Sequence, residues 1–499
     1  MVKRYFQISI IYNEKSDSNI IVGTVSPLSI LFPNQFYQHF HLIFTSSMNK
    51  RISLILLSLC LAMTAIRAQV STPRWPEDKT IERSADYEVS VRTANGDWQP
   101  LDVLSCQVNL ASRSKASFAE FDMGEPVEVR VVNNKRYSSV LVRPQSNGIK
   151  VQQVDSHTVE FTLQQPKYLS VEYDGDQAHN LHLFANPLFS EKPDLSENAI
   201  TWQGENAQDV FVKDARLIYF APGIHKPKDL PSEEIKIPSN CTVYLAPGAV
   251  VKARLIVDHA ENVRIIGRGI IDHPLRGIEI TFSKNVLVDG PTVLNPKHYT
   301  VYGGQSEGIT IRHLKAFSAM SWSDGIDLMC CRNVTIEDCF LRTSDDCIAL
   351  YNHRWWYWGG TENILVRRAT LWADVAHPVN IGSHGDDRSD VGETLSKVCI
   401  EDCDILYART NAVLYFSCGD KNWIRDVSFR NIRVERVDST ALIGMAVVFG
   451  AKYNRAPGNG IDYVTFENIL FTGDPAQLRP NFFRDYDEKR CIGKHIIIK

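Results

Sequence analysis

No segment of the chain is basic enough to attract a polyanion, and a formal net charge of -4 over 499 residues gives nucleic acid no reason to bind. No apolar run makes a stable membrane span either: Ile52 to Met63 falls short of the roughly 20 residues that a bilayer requires. Cysteine is present without a metal-binding pattern. Beyond residue 68 the chain carries Cys106, Cys241, Cys330, Cys331, Cys339, Cys347, Cys399, Cys403, Cys418 and Cys491, and the last close pair, Cys399 and Cys403, lies in a strand-like segment rather than a zinc knuckle. Free, buried, packing thiols are the simpler reading, in preference to a disulfide framework. Helical periodicity is missing from the region between 82 and 189. What is there is a soluble globular composition, 44% hydrophobic and 22% charged, on a chain long enough for a large buried core.

The N-terminal signal begins at Met48. MNKR, the apolar run to Met63 and then TAIRA give a charged start, a short hydrophobic stretch and a small-residue cleavage site near Ala68. Residues 48–68 therefore read as a secretory signal peptide, and 1–47 as an upstream extension from a start codon placed too early. A secreted or periplasmic protein is expected.

Residues 80–190 alternate with period two, as in DYEVSVRT, PVEVRVV and HTVEFTL, with turn signals at Asn95-Gly96, Asn147-Gly148 and Asp174-Gly175. That pattern predicts an antiparallel β-sandwich. Residues 191–215 read as a linker, rich in polar residues. From 216 to 499 a phrase recurs: CTVYLAPGAVV at 241, NVRIIGRGIID at 262, NVLVDGPTVLN at 285, NVTIEDCFL at 333, NILVRRATLW at 363, KVCIEDCDIL at 397 and YVTFENILF at 463. Strand repeats without helices predict an all-β solenoid, a right-handed parallel β-helix. Cys339 and Cys403 close two related phrases and are expected at one inward position of different coils. The widest intervals, between 333, 363 and 397, mark inserted loops, where a solenoid builds its binding face.

Chemistry concentrates there. Asp324 and the pair Asp345 and Asp346 are about one coil apart, and stacked parallel strands lie about 4.8 Å from each other, so the three carboxylates can share a face. Crowded carboxylates cannot all ionise at their free pKa. A proton donor beside carboxylate bases is the equipment of glycosidic cleavage. An isolated Asp-Asp pair would be a solvated corner; here it needs a bend that turns both outward, or a partner for the inward one. Asp327 is a further carboxylate in the same strand and reads as structural, capping a turn. The loop NHRWWYWGG offers Trp355, Trp356 and Trp358, faces on which sugar rings stack, or a plug over the core. His377, in AHPVNIG, stands one coil further and can bond a carboxylate or a sugar hydroxyl. His384, Asp386 and Asp387 could hold a cation, but such loops are usually only solvated, and no metal or other cofactor is expected.

At these residues the sequence resembles two related families of inverting β-helix glycosidases. S-x-D-G around Asp324 and S-D-D at 344–346 look like the polygalacturonase family, glycoside hydrolase family 28. That resemblance implies Asp345 as general acid and Asp324 and Asp346 as the bases that activate water. His377 falls where the family has a glycine-flanked histidine, without the glycines. Where the family carries Arg-x-Lys for the galacturonate carboxylate, NAVLYFS is expected to set Leu414 and Phe416 at the basic positions. A neutral sugar is then the better fit, unless Arg409 substitutes from the preceding turn. The leading sandwich, YLAPGAVVKA at 244–253 and RRATLWADVAHPVNIG at 367–382 resemble the dextranase and isopullulanase family, glycoside hydrolase family 49.

The resulting expectation is an inverting hydrolase of an α-linked polysaccharide, a glucan or galactan by preference. A polygalacturonase-type pectin hydrolase is the alternative. A calcium-dependent polysaccharide lyase and a non-catalytic carbohydrate-binding protein stand as rivals, and oligomeric state is left open.

Overall fold

The computed structural model describes residues 8–11, 20–23, 70–94, 96–191, 193–195, 199–202, 215–227, 233–450 and 452–499. The chain divides into two units, Met1–Ala68 and Gln69–Lys499. In the first, Ile8–Ile11 pairs antiparallel with Ile20–Gly23. The proposed signal peptide at 48–68 lies outside the described residues. Among the described residues no helix is long and apolar enough to cross a membrane.

In the second unit two sheets stack between Val70 and Pro187. One orders Gln152–Gln153, Thr158–Leu163, Val127–Asn133, Tyr87–Thr93 and Gln99–Pro100, all antiparallel. The other orders Val70–Ser71, Ser114–Met123, Leu181–Pro187, Lys167–Tyr173 and Val140–Arg143. Its single parallel pair joins Ser114–Met123 to Leu181–Pro187. The period-two alternation does what it predicts: Val129, Val131, Phe161 and Leu183 meet between the sheets. Strand Val70–Ser71 brings the sandwich forward of the expected start at 80.

The rest is a parallel β-helix of three-strand coils. One coil is Arg332–Glu337, Phe340–Thr343 and Ile348–Tyr351; the next is Glu362–Arg367, Thr370–Ala373 and Val379–Gly382, each strand parallel to its predecessor. The parallel sheet already begins at Ala199–Trp202, inside the stretch expected as linker. Why the phrases begin with asparagine is visible at the corners. Asn262, Asn285, Asn333 and Asn363 all have φ between 53° and 58°, a conformation asparagine tolerates better than other side chains. Their amides also stack: Asn285 donates to Asn262 at 2.6 Å and Asn363 to Asn333 at 2.6 Å. Inside the coils, Cys339 and Cys403 occupy one inward stack with Ala369 between them, as the backbone bonds Thr370 N to Cys339 O and Asp404 N to Ala369 O require. All ten cysteines among the described residues are free.

The sandwich lies on the second face of the coils. Phe118 and Phe184 pack into Phe317, Phe340 and Trp372, and buried cations cross the seam. Arg342 reaches Asp374 and Asn180, Arg143 reaches Glu172 and Glu435, Arg268 reaches Asp122, and Lys315 reaches Glu120. A sandwich turn also touches the helix corner: Asn109 N–H donates to Asp374 at 3.1 Å and Leu110 N–H to Ser344 Oγ at 2.8 Å.

Candidate active site

Asp324, the Asp345–Asp346 pair and His377 stand at one corner of successive coils, where the second strand turns into the third. The ladder runs through that corner, with Gly325 N–H donating to Asp346 O and Cys347 N–H to His377 O, both at 2.8 Å. Gly325 makes the approach feasible, because a Cβ there would lie 2.3 Å from Cys347 O. The Asp pair is bent as anticipated: Thr343 Oγ1 donates to Asp345 O at 2.7 Å, and Asp346 N–H donates to Asp345 Oδ1 at 3.1 Å. One oxygen from each of Asp324, Asp345 and Asp346 falls within 4.8 Å of the others. Among the described residues this is the one group of three or more acid, histidine or cysteine side chains with a geometry that could hold a metal ion, and its all-oxygen donors would suit a hard cation.

The three carboxylates are electrostatically unequal. Burial works against ionised Asp346, but the charge of His377 and hydrogen bonds from His377 and Asn380 outweigh it and hold the carboxyl below its usual range. His377 gives both its N–H and Nδ1 to Asp346 Oδ1 at 2.9 Å, and Asn380 Nδ2 donates to Oδ2 at 2.7 Å. Asp345 is pushed up to about 6, first by burial and then by the charge of Asp346, against hydrogen bonds from Trp322 N–H and Asp346 N–H. Asp324 is raised well above the ordinary value by burial and by the neighbouring Asp327, Asp345 and Asp346. One carboxylate is thus firmly ionised beside two that retain protons to higher pH, the separation that acid–base work requires.

Other anticipated residues fall in different places. Trp355 stacks on Tyr299 at 5.9 Å and on Trp356 at 5.7 Å, while Tyr357 is fully buried, so the loop is part plug and part platform. Trp358 lies flat on His353 at 3.5 Å with Arg388 over it, in a separate cluster. Arg409 stands exposed at the same corner one coil beyond His377, beside Tyr407, and among the described residues makes no ion pair with the three aspartates. His384, Asp386 and Asp387 do not converge on a cation: His384 packs edge-on to Tyr351 while Asp386 accepts Arg388 N–H.

Two expectations need correction. Leu414 and Phe416 are not cleft-facing; both lie in the helix core, and the outward positions of Ala412–Cys418 are Tyr415 and Ser417. The slip is one residue in a period-two strand, and it leaves the cleft positions without a basic side chain. Asp327 caps no turn. It lies on strand Ile326–Met329, facing outward 3.6 Å from Arg354. Sequence reading also missed Asn380, Tyr299, Tyr415, which stacks on His377 at 4.6 Å, and the exposed Trp322, whose N–H donates to Asp345 Oδ2 at 3.0 Å. Trp322 had a signal, since it stands two residues before Asp324.

Residues 246–479 match the family model described as Glycosyl hydrolases family 28. The chain is 27% identical to a probable polygalacturonase of Arabidopsis thaliana over 196 residues, 38% of this chain and 40% of that protein. It is 26% identical to a polygalacturonase of Chamaecyparis obtusa over 203 residues, 40% of this chain and 37% of that protein. The chain thus spans about two fifths of the length of these curated relatives. Among solved structures, Dex49A from Penicillium minioluteum superposes with a TM-score of 0.54 at 14% identity, covering 86% of this chain and 96% of that one, a likeness of fold.

Proposed function

We infer that this protein, whose β-helix carries a glycosyl hydrolase family 28 domain over residues 246–479, hydrolyses the glycosidic bonds of a polysaccharide at the aspartate corner. The observation that carries the reading is the trio of carboxyl oxygens within 4.8 Å, one carboxyl held low by His377 and Asn380 and a neighbour raised to about 6. In the proposed step Asp345 gives its proton to the leaving oxygen as the anomeric C–O bond breaks. Water forms the new bond to that carbon and passes a proton to ionised Asp346, while Asp324 orients the water. Exchange with solvent then restores both aspartates. Water attack opposite the leaving group gives the inverted anomer, as the family resemblance implies. The close carboxyl spacing is the one observation for retention, since inverting pairs usually stand about 6.5–9.5 Å apart. Proton NMR of the first-formed anomer distinguishes the two outcomes.

A neutral sugar is favoured at the cleft. Its outward residues Tyr415 and Ser417 carry no charge, Arg354 is matched by Asp327 and Arg276 by Glu279. A galacturonan is the second reading, supported by the polygalacturonase relatives and by exposed Arg484, whose charge acts on Tyr415. The decisive experiment is release of reducing ends from dextran, pullulan, galactan and polygalacturonate, with Asp345→Asn alongside and EDTA in one arm. Turnover should fall at least ~100-fold in the variant, the usual worth of a general acid, with no loss in EDTA. An unsaturated, ultraviolet-absorbing product quenched by EDTA would instead identify a lyase, and no turnover with either protein a binding protein. The same reading makes residues 48–68 a signal peptide and starts the mature protein near 69, which N-terminal sequencing of secreted material would test.

A further inference from the structure

The third strands of the coils present one outward row in register: Glu279, Tyr302, Asp327, Ala349, Asn380, Tyr415 and Gly444. A polysaccharide lying across the aspartate corner would run along this row. On the side towards the C-terminus, Tyr415 and Ser417 are partly open, and Phe482, next in the row after Gly444, stands 6.3 Å from Tyr415. On the other side the row is covered.

The cover is the loop 352–360. It leaves strand Ile348–Tyr351 and doubles back over earlier coils. Trp355 stacks on Tyr299, and Tyr357 seats its ring on Gly304, where a Cβ would come within 2.3 Å of it. Tyr357 also reaches Phe282 at 5.3 Å, and Trp358 N–H donates to Gln305 Oε1 at 3.0 Å. Glu393 pins both ends of the loop, accepting His353 N–H and Gly359 N–H at 2.8 Å. A segment fixed at so many points is a wall.

Polar groups without partners gather at the foot of that wall. Fully buried Asp327 meets Arg354 only as an ion pair at 3.6 Å, too long for a hydrogen bond, and Arg354 Nη1 and His298 Nδ1 are likewise buried without a hydrogen bond. On the open side His377 Nε2 and Asn380 Oδ1 are in the same condition. Buried polar groups are normally satisfied, and Arg354, whose side chain stays 19% exposed, has donors to spare for a sugar hydroxyl.

Building on the hydrolase reading, we propose that the Asn352–Gly360 loop closes the cleft at one end, so that the enzyme removes units from a chain end, with Arg354, held against buried Asp327, binding a hydroxyl of the terminal sugar. The rest of the polymer leaves over Tyr415 towards Phe482. An interior segment of a chain has no path through Trp355 and Tyr357.

The test follows viscosity and product length early in digestion of whichever of dextran, pullulan, galactan and polygalacturonate is cleaved. The expected result is one short product from the outset, with viscosity falling only in proportion to the sugar released. A ladder of intermediate oligosaccharides with an abrupt loss of viscosity would overturn the closed end while leaving the hydrolase intact; absence of turnover on every polymer would overturn the hydrolase and this inference together. Arg354→Met should raise KM for a short oligosaccharide about tenfold, the equivalent of one hydrogen bond to a charged group, with a smaller change in kcat. An unchanged KM in a folded variant would remove Arg354 from the terminal site. Replacing 353–358 by a short glycine–serine turn should give mixed product lengths. If that variant does not fold, Trp355→Ala, which thins the wall without removing the Tyr357 plug, should produce a detectable fraction of longer products, and an unaltered single product would count against the wall.

Discussion

At the scale of single residues, the proposed catalytic corner is a device for separating the protonation of neighbouring carboxyls. In the proposed mechanism Asp345, raised to about 6, is protonated when it acts as acid, so kcat/KM should fall as pH rises through about 6. Asp346 must be ionised, and its depressed pKa places the acid limb below the usual carboxylate range. Asn380→Ala removes a donor to the ionised form, so the acid limb should move up while the basic limb stays near 6. The two aspartates act oppositely on stability. The raised pKa of Asp345 favours folding below the unfolded value near ~3.9 and loses that contribution as pH rises through about 6; the depressed pKa of Asp346 favours folding above ~3.9 and loses it on acidification. The aspartates and His377 were legible in the sequence because their spacing matches the coil. Asn380 and Asp327 were not, because the decisive fact about each is which face of a strand it occupies, and a one-residue error in register exchanges the faces. The same error assigned Leu414 and Phe416 to the cleft.

At the scale of the coil, the repeated corner carries much of the specification. Asn333 holds φ at 55°, donates to Glu307 and accepts from Asn363. Asn333→Ala should cost about 1–2 kcal/mol for the left-handed conformation alone, whereas Asn333→Gly, which keeps the backbone comfortable and loses only the amide contacts, should cost less. Thermal unfolding of the two variants measures the difference. The strands and their order were readable, since the phrase recurs with its asparagine in place. The path of the 352–360 loop was not, because nothing local says that Tyr357 will find Gly304, a residue whose lack of a side chain matters only once the coils have stacked.

For the whole molecule, the seam between sandwich and helix is where burial and charge meet. Arg143 is 2% exposed and lies between Glu172 and Glu435, so Arg143→Ala would leave two buried carboxylates uncompensated. The expected loss is about 3–5 kcal/mol by denaturant unfolding, partly recovered by adding Glu435→Gln. No sequence pattern announced this seam: its cations stand far apart in the chain and meet partners across more than a hundred positions, as Lys315 does with Glu120. The turn at Asn109 and Leu110 has a separate importance. It grips Ser344, the residue before the proposed acid, from the sandwich side of that corner. The sandwich thus reaches the proposed acid through its neighbouring backbone, and slackening that grip would be felt as reorganisation energy in the chemical step, with affinity for the polymer left as it was.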